Sequence, residues 1–104
     1  MNHNFIMEQY SVPDELKVKV DYSDPGLPAA AKLFKPLVVV DGDSYCCIFG
    51  PDPQQGILGC GDSPKEALRD WDKHLRERVR QADKNDEVLK YIVETLHHSE
   101  YKFE

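Results

Sequence analysis

A chain of 104 residues has room for one small domain and one modest core. At 40% apolar and 31% charged residues it does not have a disordered composition, and no apolar run nears the roughly 20 residues a membrane span takes. The formal charge of −6 disfavours a surface that tracks a phosphate backbone and suits one that meets a basic protein.

Met1 to Tyr10 has no basic segment followed by an apolar stretch, so no secretory signal is expected and the chain reads as cytoplasmic. Residues 1–15 carry scattered apolar side chains without a period and read as a lead-in. Leu16 to Tyr22 alternates, with Leu16, Val18, Val20 and Tyr22 on one side, which predicts a strand with one wet face. Asp24-Pro25-Gly26 and Pro28 are turn chemistry. Ala29 to Phe34 is long enough for a single helical turn, which Pro36 stops from continuing.

Leu37 to Val40 and Ser44 to Phe49 are strand-like runs around Asp41-Gly42-Asp43, and an Asp-Gly turn between them predicts a β-hairpin. Gly50 to Gly56 is a loop, because Pro51 and Pro53 cannot donate to a ladder. Ile57 to Cys60 reads as a short third strand. The three cysteines, Cys46, Cys47 and Cys60, include an adjacent pair in a chain read as cytoplasmic. That argues against a disulfide framework, and unpaired thiols are the expectation. Cys46 and Cys47 must point to opposite faces of their strand. Neither the cysteines nor His97-His98 have zinc-ligand spacing, so no metal or cofactor is expected.

The junction from strand to helix is the most strongly specified stretch. Ser63 is a good N-cap, Pro64 fits the first helical position, and Glu66 completes a capping box. Ala67, Leu68, Trp71, Leu75, Val79 and Ala82 then share one helical face, and the helix should end between Gln81 and Lys84. Asn85 or Asp86 caps a second helix with an apolar stripe of Val88, Leu89, Ile92, Val93 and Leu96. Ser99 to Glu104 reads as a closing strand or a tail.

The run Leu37 to Tyr45, the Pro51-Asp52-Pro53 loop and Gly56-Ile57-Leu58-Gly59-Cys60-Gly61-Asp62-Ser63-Pro64-Lys65-Glu66-Ala67-Leu68 together resemble the N-terminal domain of HicB-type antitoxins and their relatives. The resemblance covers roughly residues 35–80. It implies an α+β, partial RNase H-like fold: an antiparallel three- to four-stranded sheet packed on one main helix, here with an additional C-terminal helix. The whole chain, residues 1–104, is then one domain. Residues 1–34 form an N-terminal extension with one strand, 35–83 a β-β-β-α core, and 84–104 the last helix and tail. The resemblance also implies a non-enzymatic protein, an antitoxin or an orphan regulatory protein of phage or bacterial type, that binds and masks a protein partner such as a small basic RNA-cleaving toxin. Many such proteins carry a DNA-binding module after this domain; the region after residue 83 is too short to match one and is not basic, so no direct nucleic-acid binding is expected.

The candidate partner contacts are Asp52, Gln54 and Gln55 in the loop and Val88, Ile92 and Leu96 on the last helix. The helix stripe covers either its own sheet or a second protomer, and self-association into a homodimer or larger homo-oligomer is the favoured reading. One alternative is an acidic phage-type inhibitor that mimics nucleic acid toward a host defence protein. A weaker one is a metal-dependent nuclease using Asp21, Asp41, Asp43, Asp52 or Asp62, although turn and cap chemistry accounts for each of these carboxylates.

Overall fold

The computed structural model describes residues 11–52, 54–81 and 85–99. Among them the order of elements is a 3-10 turn (Asp14–Leu16), α1 (Ala29–Phe34), β1 (Leu37–Asp41), β2 (Ser44–Phe49), β3 (Ile57–Gly61), α2 (Pro64–Gln81) and α3 (Glu87–Ser99). The three strands form one antiparallel sheet in the order β1-β2-β3. The sheet packs on α2, the main helix, giving the α+β class expected. The expected tail after Ser99 and the stripe position Ala82 lie outside the described residues.

The expected strand Leu16 to Tyr22 is corrected. Its first residue ends the 3-10 turn and is 41% exposed. Pairing with the sheet is one isolated bridge, Lys17 opposite Val39, with the Val18 N–H donating to the Val38 carbonyl at 2.8 Å. Val18, Val20 and Tyr22 still pack half-buried against the core. Alternation therefore reported which side of an extended chain is dry, and that does not require a ladder. The segment is held by side chains instead: the Tyr22 hydroxyl donates to the Pro36 carbonyl, and Asp21 accepts from the Ser23 amide at 3.0 Å.

Residues 29–34 form their short helix as expected. Lys35 closes it in the left-handed region (φ 51°), its N–H donating to the Ala31 carbonyl at 2.9 Å, and Pro36 follows. The hairpin forms, with a different turn. Asp41 pairs with Ser44, so the two-residue loop is Gly42-Asp43, with Gly42 at φ +61°. A glycine at the first loop position is the type II′ pattern rather than the Asp-Gly one.

The cysteine expectation is also corrected. Cys46 and Cys60 face each other in register across β2 and β3, with Cα atoms 4.0 Å apart, and form a disulfide. Count and spacing along the chain do not show that two cysteines are cross-strand neighbours. The two faces of β2 separate the adjacent pair as expected: Cys46 points outward, while Cys47 is fully buried and its thiol donates to the Ala67 carbonyl at 3.2 Å. Burial pushes the Cys47 thiol far above its ordinary pKa, so it behaves as a small hydrophobe.

The core lies between the sheet and the helices. Ala67, Leu68, Trp71 and Leu75 of α2 are fully buried. Val38, Cys47, Phe49 and Ile57 meet them from the sheet, Ala30, Ala31 and Phe34 from α1, and Val88, Ile92 and Leu96 from α3. Phe34 and Phe49 pack edge to face at 5.2 Å, and each ring lies 6.3 Å from Trp71.

The start of α2 follows the cap chemistry. Ser63 Oγ accepts from the Glu66 amide at 3.1 Å. The Glu66 carboxylate reaches back one residue further than in the usual capping box, to the Asp62 amide at 3.2 Å. Replacing Ser63 by Ala is expected to lower the unfolding free energy by about 1 kcal/mol, read by thermal or urea unfolding. A wild-type melt would show that this hydroxyl does not hold the helix end.

Candidate functional site

The loop expected to carry recognition, between β2 and β3, is built as a fixed turn. One oxygen of Asp52 accepts from the amides of Gln54 and Gln55, both at 2.8 Å, and the Gly56 amide donates to the Asp52 carbonyl at 2.7 Å. Asp52 is therefore half-buried and engaged in shaping the loop, while Gln54 and Gln55 are exposed. Asx turns of this kind satisfy backbone donors locally and hold a loop without a ladder.

Arg78 of α2 ties this loop to α3. Its Nη1 donates to the Gly56 carbonyl at 2.9 Å, and Nη2 to the carbonyl of Gln55. Nε and Nη2 grip the two oxygens of Asp86, the second at 3.1 Å. Asp86 in turn caps α3, accepting from the Leu89 amide at 3.0 Å. The pair is largely shielded, with the side chains 23% and 11% exposed. An open cleft of about 430 Å³ lies beside it, lined by Gln55, Arg78, Gln81, Asn85 and Val88 among others. Arg78 is already committed to four acceptors, so the cleft offers amide hydrogen bonding rather than a cationic hook.

Burial alone would raise the Asp86 carboxyl, but the hydrogen bonds and charge of Arg78 and the amides of Leu89 and Val88 outweigh it. The group sits below its ordinary value.

The free edge of β3 is closed by α2. The Cys60 amide donates to Asp70 at 2.9 Å, and His74 Nδ1 meets the Leu58 carbonyl. His74 Nε2 lies 3.6 Å from the other Asp70 oxygen. Two side chains one helical turn apart thus occupy groups that a further strand would use.

The other candidates separate. Val88, Ile92 and Leu96 are 2%, 0% and 9% exposed in the core of their own chain, so the stripe packs on its own domain and presents no free face. The exposed member of the stripe is Val93, at 48%. The aspartates considered for a nuclease are not gathered. Asp21 binds Ser23, Asp41 ends β1, Asp43 sits in the hairpin turn, Asp52 shapes its loop and Asp62 precedes the α2 cap. With Cys46 and Cys60 joined as a disulfide, no group of three or more His, Cys, Asp or Glu among the described residues is placed to hold a metal ion, and no helix among them is long and apolar enough to cross a membrane.

Arg78 was missed in the sequence. The signal was its place seven residues after Trp71 and three after Leu75, on the dry side of α2. A charged residue in a core stripe calls for a shielded partner. No family model, curated protein or solved structure matches the chain.

Arg78→Ala leaves Asp86 shielded and unpaired, and is expected to cost about 2 kcal/mol at neutral pH. Because the folded carboxyl is held below its unfolded value, its contribution is complete above about pH 4 and fades as pH falls through the lower folded value. The stability gap between wild type and variant should therefore narrow on acidification, measured by urea unfolding across that range. An equal gap at every pH would rule out the ionised pair as its source.

Proposed function

We propose that the chain is a non-enzymatic interaction domain, HicB antitoxin-like in class, that masks a small basic protein partner with the surface around its Asp52 to Gly56 loop. The observation that carries this reading is the fixing of the loop. Asp52 and Arg78 hold its backbone while Gln54 and Gln55 stay exposed. A preorganised loop loses less conformational freedom on binding, so more of its contact energy appears as affinity. The charge of −6 suits encounter with a basic partner and not with nucleic acid. Three antiparallel strands on one main helix are the arrangement that the HicB resemblance implies, which supports the reading at the level of architecture.

The stripe of α3 is spent on the core, and Asp70 and His74 close the β3 edge. On this reading homo-oligomer contact falls to the exposed apolar side chain of Leu58, on the sheet face turned away from α2. A cytoplasmic setting goes with this reading, and there the Cys46–Cys60 pair would be held largely as thiols.

Affinity capture with the intact chain as bait, read by mass spectrometry, should recover a small protein of positive net charge. Gln54→Ala with Gln55→Ala should weaken that complex about tenfold without moving the melting temperature. Recovery of the bait alone, or a double variant that binds as tightly as wild type, would contradict the reading.

A further inference from the structure

We propose that in the reduced chain Cys46, Cys60 and Asp41 form a binding site for a thiophilic divalent cation, Zn²⁺ or Cd²⁺. The proposal does not rest on the partner reading above. It rests on where the sheet places three ligating side chains.

Cys46 and Cys60 are register partners whose side chains converge on one point of the outward face. Their strands pair from Tyr45 opposite Gly61 to Phe49 opposite Ile57, and the inner face of this ladder is buried against α2. The register therefore does not depend on the disulfide, and the two sulfurs remain neighbours after reduction. Asp41, at the end of β1, brings a carboxylate oxygen to 3.6 Å from Cys46 Sγ. A disulfide sulfur carries no proton, so this is a contact and not a hydrogen bond. Cys47 takes no part, since it is buried on the opposite face.

The geometry fits a tetrahedral ion. Zn–S bonds of about 2.3 Å and Zn–O bonds of about 2.0–2.2 Å place sulfur and oxygen ligands about 3.5 Å apart and two sulfurs about 3.8 Å apart. In the disulfide form one oxygen of Asp41 stands 3.6 Å from Cys46 Sγ, close to that separation. The sulfurs reach theirs by side-chain rotation, since cross-strand Cβ atoms that can form a disulfide sit about 3.5–4.5 Å apart. Cys60 is exposed, so solvent can supply the fourth ligand. Thiolate ligands select thiophilic cations such as Zn²⁺ over the hard cations that carboxylates alone would hold.

The chemistry balances. A dithiol reductant gives up two electrons and two protons; the S–S bond breaks, two thiols form, and the reductant leaves as its own disulfide. Binding the cation then releases the two thiol protons to solvent, so affinity rises with pH. Disulfide and metal exclude one another, and each clamps β2 to β3 at the same place. The clamp is thereby kept in both oxidising and reducing surroundings.

The test uses the full chain, reduced by a phosphine that leaves as its oxide, and titrated with Zn²⁺ against a chromophoric chelator. Reduced wild type should take up one ion per chain, and the oxidised chain none. Cys46→Ser or Cys60→Ser should weaken binding at least about 100-fold and Asp41→Asn about tenfold, while Cys47→Ser changes nothing. Circular dichroism checks that each variant is folded. For wild type alone, Cd²⁺ should produce thiolate-to-metal charge-transfer absorption, a readout that needs no variant. A folded, reduced wild type that binds no ion, or a Cys60→Ser chain that binds as well as wild type, would overturn the proposal. Unchanged affinity in Asp41→Asn would overturn the place of the carboxylate in it.

Discussion

The structure depends on the backbone of β3 lying directly on the backbone of α2. The contact is made at Gly59. A Cβ there would stand 2.2 Å from the Trp71 nitrogen, 2.5 Å from its Cα and 2.7 Å from the Ala67 carbonyl oxygen. The neighbours on either side are small for the same reason: Ala67 is fully buried, and Cys47, the ladder partner of Gly59, donates to its carbonyl. Close approach at this point drives Trp71 under the sheet, where it meets Phe34 and Phe49. The indole nitrogen is buried there without a hydrogen-bond partner. The large apolar area of the ring outweighs that loss.

With α2 seated so close, its flanks reach further than a helix on a bulkier sheet would allow. Asp70 and His74 extend over the rim of β3 and bond to its outward backbone groups. One turn past His74, Arg78 arrives beside Gln55, Gly56 and the start of α3 and joins them. Asp52, Gln54, Gln55 and Gly56 of the loop between β2 and β3 are then held by hydrogen bonds rather than by a ladder. The candidate surface and the hydrophobic core are consequences of one packing distance.

Much of this was legible in the sequence, wherever a local rule decided the outcome. Ser63, Pro64 and Glu66 mark the start of α2 because a helix end needs partners for its orphan amides. The stripe of Ala67, Leu68, Trp71 and Leu75 follows the helical period. What was not legible depends on residues distant in the chain. Alternation at Leu16 to Tyr22 resembles a strand whether or not a partner strand lies alongside. The Cys46–Cys60 bond follows from the β2–β3 register, which no spacing rule contains. Of the candidate contacts, Val88, Ile92 and Leu96 were visible as an apolar stripe, but periodicity cannot say which body a stripe covers. Asp52 was visible as a loop residue, and its work on its own backbone only in three dimensions.

The close seating of β3 on α2 is tested most directly by adding one methyl group. In Gly59→Ala the new carbon meets backbone atoms, which cannot rotate away, so the helix must lift from the sheet. Urea unfolding should show the variant less stable by at least about 3 kcal/mol, or not folded at all. An unfolding midpoint and slope equal to those of wild type would contradict the account.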